Sequence, residues 1–279
     1  MSLATNPDDP IVLRLRSVPA RHGALWVRSG FRIFVNRPMA FCLLFVVYVS
    51  FSLLTLVLWP IGPALLFASV PLASLGFMIA TRTALEGGFP LPGVFAAPLR
   101  RGRPQLIAQL KLCALYAVAL GLTSLAVDGI AGDAIDALQK AAASGATPEQ
   151  LRPLAMDPQL QIAQLLMLVV ISLLSVPFWH APALVHWGAQ GAAKALFSST
   201  LACWRNKGAL TVFMLTWTGT FMIFVVVAQL VLLLLGQAQL AGIAIAVAMP
   251  LAATVLYASL YFSFADSFER SVPTPETTT

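Results

Sequence analysis

The chain has 279 residues, 59% of them hydrophobic and only 10% charged, with a net charge of +6. A soluble domain is usually ~45–50% apolar and ~25% charged, so too little polar surface is present to cover a water-soluble globule. That excludes a cytosolic enzyme, a secreted disulfide scaffold and a disordered tail, and points to an all-α polytopic membrane protein.

The first long apolar run follows Arg37, behind a segment that already holds Arg14, Arg16, Arg21, Arg28 and Arg32. A cleavable signal has a short n-region, so none is expected here. Residues 1–19 read as a cytoplasmic N-terminal segment. From Arg21 onward an amphipathic pattern begins. At about 100° per residue, His22, Arg28, Ser29, Arg32 and Asn36 fall on the arc of Arg21, while Trp26, Val27, Phe31, Ile33, Phe34 and Val35 fall opposite. Only Leu25 is out of place. This predicts a helix lying in the cytoplasmic interface with its arginines toward anionic headgroups.

The charge-free stretch from Arg37 to Arg82 amounts to about 66 Å of helix, about twice the ~30 Å hydrocarbon core, so it turns once. Trp59-Pro60-Ile61-Gly62-Pro63 supplies the turn chemistry. Helices are expected at about 39–58 and 62–81. Pro92 and Pro98 shorten any interfacial helix in the next loop, which leaves Arg100, Arg101 and Arg103 as a basic knot. The third span runs over about 106–127, with Lys111 one turn inside and able to snorkel.

Residues 128–158 read as a periplasmic loop. Asp133–Ala143 is helix-forming and Gly145 ends it. Thr147-Pro148-Glu149-Gln150 reads as N-cap, N1 and a capping box. The fourth span is expected at about 159–178. A second, weaker interfacial helix is expected over 190–206, with Gln190, Lys194, Ser198 and Arg205 on one face and Leu196, Phe197, Cys203 and Trp204 opposite. Gly236-Gln237-Ala238-Gln239 divides the last long apolar stretch into spans at about 209–235 and 241–264. Residues 20–270 thus form one six-helix domain, and 271–279 a flexible cytoplasmic tail.

Charge orients the spans. All but two of the 17 Lys and Arg lie in one set of loops. The other set holds Lys140 and Arg152 with Asp128, Asp133, Asp136, Glu149 and Asp157. The positive-inside rule then places both termini in the cytoplasm. The basic balance is a topology signal and not a nucleic-acid footprint. Asn36-Arg37-Pro38, Gly102-Arg103-Pro104 and Asn206-Lys207-Gly208 each precede an odd-numbered span, and Pro71, Pro177 and Pro250 each fall in an even one. This suggests three tandem units, each a cytoplasmic interfacial helix followed by a helical hairpin.

Chemistry is sparse. No G-x-G-x-x-G, P-loop, H-E-x-x-H or G-x-S-x-G motif occurs, so no catalytic residue and no cofactor is expected. No Asp, Glu, Arg or His lies at the middle of a span, which argues against ion-coupled transport. Cys42, Cys113 and Cys203 support neither a disulfide framework nor a C-x-x-C metal site. Ala244, Ala248 and Ala252, and Ala117 with Gly121, are small-residue ladders suited to helix packing. The unusual cluster is Phe178–Trp187. Its His180 and His186 stand ~240° apart on an unbroken helix, which would not present both to one metal. Trp179 and Trp187 suit an interfacial aromatic belt. These four residues are a candidate ligand or partner site. Arg21, Arg28, Arg32, Arg100, Arg101, Arg103, Lys194 and Arg205 are candidate lipid-headgroup contacts.

The run Phe178–Trp187, with Ala202-Cys203-Trp204-Arg205-Asn206, the opening Pro19–Trp26 segment and the exit Tyr261–Asp266, resembles a family of uncharacterised proteobacterial inner-membrane proteins. The resemblance covers most of the chain and is weakest at 128–158. It implies about six helices and no established activity. Three functions stay open: a non-enzymatic protein that binds anionic lipid or a membrane-protein partner in envelope maintenance or complex assembly; an uncoupled transporter or channel for an apolar or amphiphilic solute; and a membrane metalloprotein or enzyme using His180 and His186.

Overall fold

The structure is a computed structural model and describes residues 12–271. The expected tail at 271–279 lies, except for Ser271, outside them, as do residues 1–11.

Six of the described helices are long and apolar enough to cross a membrane. They are α2 (Pro38–Val57), α3 (Gly62–Leu85), α4 (Arg103–Ala143), α6 (Pro158–Phe178), α9 (Lys207–Leu234) and α10 (Ala241–Ser267). Four shorter helices accompany them: α1 (His22–Asn36), α5 (Pro148–Ala155), α7 (Ala181–Gly188) and α8 (Ala192–Arg205). Strands β1 (Val12–Leu15) and β2 (Phe268–Ser271) pair antiparallel, with Arg14 opposite Glu269. Hydropathy alone did not anticipate this ribbon, because four-residue strands carry too little pattern to register.

Span positions follow from apolar run length, and two boundaries carry information. At the α2–α3 turn, a Cβ on Gly62 would collide with the carbonyl oxygen of Thr55, so the tight return needs glycine. At the other side, α4 is one unbroken helix of 41 residues, about 62 Å long. The separate helix expected from Asp133 is its continuation. Gly129 and Gly132 cost about 1 kcal/mol each in a helix interior. Offsetting this, Ala131 packs on Leu160 and Ala163 of α6, and Asp136 pairs with Lys140 at 3.8 Å. The acids mark where the helix leaves the hydrocarbon and not where it ends. Gly145 (φ 79°) then stops the chain, and Thr147 with Gln150 forms the capping box that starts α5.

The core sits where α3 meets its neighbours. α3 packs on α2, α4 and α10. Leu75, Phe77, Met78, Leu112 and Leu184 are 0–1% exposed and fill the middle. Phe77 stacks on Tyr257 at 5.6 Å and meets Phe95 edge-on at 5.5 Å. By contrast, α6 and α9 keep only 6% of their apolar windows buried, the rest being half-buried or exposed.

Apart from α5, which follows the far end of α4, the short helices gather at the basic end of the bundle. α1 packs on α9 and α10. The two 3₁₀ turns at Pro92–Phe95 and Ala97–Arg100 pack on α3, and α8 packs on α6 and α7. Two packing expectations change. Ala244, Ala248 and Ala252 line an open apolar groove, and a Cβ at Gly121 would meet open space. Ala252 also packs against the α1–α9 cluster of Trp26, Phe213 and Trp217, so this ladder both seats neighbouring helices and leaves room beside them.

Candidate functional site

The basic end begins with α1, whose buried residues Gly23, Trp26, Val27, Gly30 and Ile33 recur at helical spacing. They wedge into the cleft of α9 and α10. A Cβ at Gly23 would strike the carbonyl oxygen of Ala209, and one at Gly30 would strike the hydroxyl of Ser259. The polar edge is pinned by Asp266. Its Oδ2 accepts the indole N–H of Trp26 at 2.7 Å and lies 2.8 Å from His22 Nδ1. So α1 is a packed element of the bundle as well as an amphipathic one. Arg21, Arg28 and Arg32 remain exposed on its outer face, as do Phe31 and Val35.

A second tie is Asn206, 2% exposed at the α8–α9 junction. Its Oδ1 accepts the Val18 N–H at 2.9 Å. Its Nδ2 donates to the Arg16 carbonyl at 3.1 Å and to Ser267 Oγ at 3.2 Å. One side chain therefore joins the segment after β1, the start of α9 and the end of α10. Beside it, Arg16 and Glu269 pair at 3.8 Å on the ribbon.

The His/Trp cluster divides. His180 is 1% exposed and its backbone N–H donates to Ser199 Oγ at 3.0 Å. Its Nε2 lies 3.0 Å from Ser263 Oγ, which also accepts Trp179 Nε1–H at 3.2 Å. The imidazole packs edge-on against Phe268, and Trp179 packs edge-on against Phe213. This pair is thus a buried tie between α7, α8 and α10. His186 turns elsewhere and takes a 3.4 Å contact from Arg101 Nη2. Trp187 faces a third direction. It lines a cleft of about 300 Å³ with Arg82, Glu86, Tyr261 and Phe264, and the Arg82 guanidinium sits 6.0 Å over its ring. The two histidines do not share a ligand position, and among the described residues no three His, Cys, Asp or Glu side chains gather as metal ligands.

The other candidate contacts are placed as follows. Arg100, Arg101 and Arg103 are exposed around the start of α4, and Arg205 is exposed at the end of α8. Lys194 lines a groove with Lys111. On α8 the expected faces shift. Ala192, Ala195, Ser199, Ala202 and Cys203 are buried, while Phe197 and Trp204 are 68% and 72% exposed. Small residues let the helix approach α6 closely, and the large aromatics are left for lipid. Burial pushes the Cys203 thiol up to about 12.

Sequence reasoning missed Asp266, Ser263 and Asn206 as structural ties. Asp266 carried one usable signal: it is the first acid after the charge-free stretch that starts at Gly208, placed where a helix exits beside a basic segment. Ser263 and Asn206 carried none, since their roles depend on partners far away in sequence.

Over 254 residues, the chain is 33% identical to a probable inner membrane protein of Burkholderia thailandensis, which covers 90% of this chain and 91% of that protein. No family model matches the chain, and no solved structure does. The chain therefore belongs to the family of that probable inner membrane protein, and is itself a multi-pass protein of the inner membrane with six candidate spans.

Proposed function

We infer that the protein is a non-catalytic inner-membrane component that binds anionic lipid, or a membrane-protein partner, through its basic end, in envelope maintenance or complex assembly. The basic end faces the cytoplasm and carries both termini. The observation that carries this reading is α1. Asp266, Gly23 and Gly30 fix one face of it in the bundle, so Arg21, Arg28 and Arg32 are held on the other at the level where spans α2 and α9 begin. Arginines held on a rigid interfacial helix recognise phosphate without ordering a loop.

The test is binding of the protein in nanodiscs of zwitterionic lipid to anionic vesicles, compared with the Arg21→Gln, Arg28→Gln, Arg32→Gln triple variant. Weaker association in the triple variant is expected; unchanged association would overturn the reading. Orientation is tested with C-terminal reporters: a fluorescent protein should fold and shine, and an alkaline phosphatase should stay silent.

A second reading, uncoupled passage of an apolar or amphiphilic solute, is favoured by one observation. A groove of about 520 Å³ runs between α1, α9 and α10, walled by Phe31, Trp217, Phe224, Ala244, Ala248 and Ala252. Filling it with Ala248→Phe should slow flux of an apolar dye in proteoliposomes. Equal flux with and without protein removes this reading.

A further inference from the structure

The geometry points to a single bound anionic phospholipid in a groove between α4 and the start of α8. The groove has a volume of about 630 Å³. Lys111, Leu115 and Val118 form its α4 wall, and Gly191, Lys194 and Leu196 the other.

Lys111 stands eight residues into α4, about 12 Å along the helix axis from Arg103, in a helix apolar enough to cross the membrane. Its side chain is exposed, and among the described residues neither Lys111 nor Lys194 forms an ion pair. An ammonium at that depth is costly unless it snorkels or finds an anion. Lys194 reaches the same groove from another element, far along the chain. Two like charges directed to one groove disfavour each other, and an anion between them reverses the sign. At the edge of a bilayer that anion is a lipid phosphate. Gly191 is the N-cap of α8 and Lys194 lies in its first turn, whose unbonded N–H groups add to the attraction.

Polarity along the groove has the order of a phospholipid. Leu115 and Val118, 51% and 60% exposed, continue the wall from Lys111 toward the bilayer centre and suit an acyl chain. The site rests on the anionic-lipid reading above, but differs from the α1 arginines: it would hold one lipid in a defined place, where they face the headgroup layer as a whole.

The experiment is native mass spectrometry of the full chain in detergent, after incubation with an equimolar mixture of phosphatidylglycerol and phosphatidylcholine. The wild type and the Arg21/Arg28/Arg32→Gln triple variant should retain one phosphatidylglycerol. The Lys111→Gln, Lys194→Gln double variant should lower that adduct about tenfold, and Lys111→Arg with Lys194→Arg should restore it. Each single glutamine variant should lower it by itself, so the outcome does not depend on the double variant folding. An adduct unchanged in the glutamine variants, or equal occupancy by phosphatidylcholine, overturns the site. Displacement of the adduct by millimolar inorganic phosphate would assign the groove to a free anion and likewise end the lipid assignment. Loss of the adduct in the triple arginine variant alone would overturn the groove and leave the α1 reading standing, so the two fail separately.

Discussion

The indole N–H of Trp26 and the carboxylate of Asp266 meet at 2.7 Å across 240 residues of sequence. This bond closes the first helix of the bundle onto the exit of the last. Trp26 is 2% exposed while the Asp266 side chain that accepts from it is 40% exposed, so the bond ties a buried ring to the edge of the packed interior. Asp266→Ala strands that donor and is expected to cost about 1–3 kcal/mol. Asp266→Asn keeps an acceptor oxygen and should recover part of the loss. Thermal unfolding in detergent, followed by tryptophan fluorescence, reads both; an unshifted melt for the alanine variant would show that the bond contributes nothing.

Gly23 and Gly30 should be intolerant of a methyl group for different reasons. At Gly23 the added Cβ meets the α9 backbone at Ala209, which has no rotamer to escape into. At Gly30 it meets first the Ser259 hydroxyl. Overpacking of this kind typically costs about 1–3 kcal/mol. Gly23→Ala should destabilise more than Gly30→Ala, and Ser259→Ala should partly rescue only the latter. Equal melts for the two glycine variants, with no rescue, would contradict the packing of α1.

Asn206 is expected to hold the segment from Arg16 to Val18 in place. Asn206→Ala removes three hydrogen bonds at once. Tryptic cleavage at Arg14 and Arg16 should accelerate in that variant. Asn206→Asp keeps the acceptor for Val18 N–H but turns the other arm into a buried oxygen facing the Arg16 carbonyl, so it should not rescue the segment. Cleavage rates equal to wild type would mean that the ribbon alone secures the segment.

His180 and His186 should separate in their effect on stability. His180→Ala empties a fully buried position and removes the Nε2 contact to Ser263, leaving the Trp179 bond to that hydroxyl in place, so a loss of a few kcal/mol is expected. His186→Ala removes a long contact to an exposed arginine and should cost less. A larger loss for His186 would reverse the assignment of His180 as the structural tie.

Much of the fold was legible beforehand, for a local reason. Whether a segment prefers hydrocarbon depends on its own side chains, so apolar run length placed each of the six helices to within a few residues at most ends. The capping box at Thr147 and the stop at Gly145 are likewise local, and both stand where the pattern put them. The miss at 128–132 is instructive. The acids from Asp128 onward placed the end of the span there, but packing of Ala131 on α6 kept α4 continuous. The face of α8 was misjudged because hydropathy ranks Trp204 and Phe197 above alanine, whereas close approach to α6 favours the smaller residue.

The candidate site was less legible. The residues of the Phe178–Trp187 run were evident as a cluster, yet their side chains leave it in three directions, toward Ser263, Arg101 and Arg82. By itself the sequence determined the solvent, the number of spans and the gathering of basic residues in one set of loops, because transfer energies and charge positions can be read residue by residue along the chain. Only the tertiary structure decided that α1 is wedged between α9 and α10, that Asp266 and Asn206 tie the stretch from Arg16 to Trp26 to the end of α10, and that Lys111 and Lys194 open onto one groove. Those are relations between residues far apart in sequence, and which helices become neighbours is set by the packing of the whole bundle.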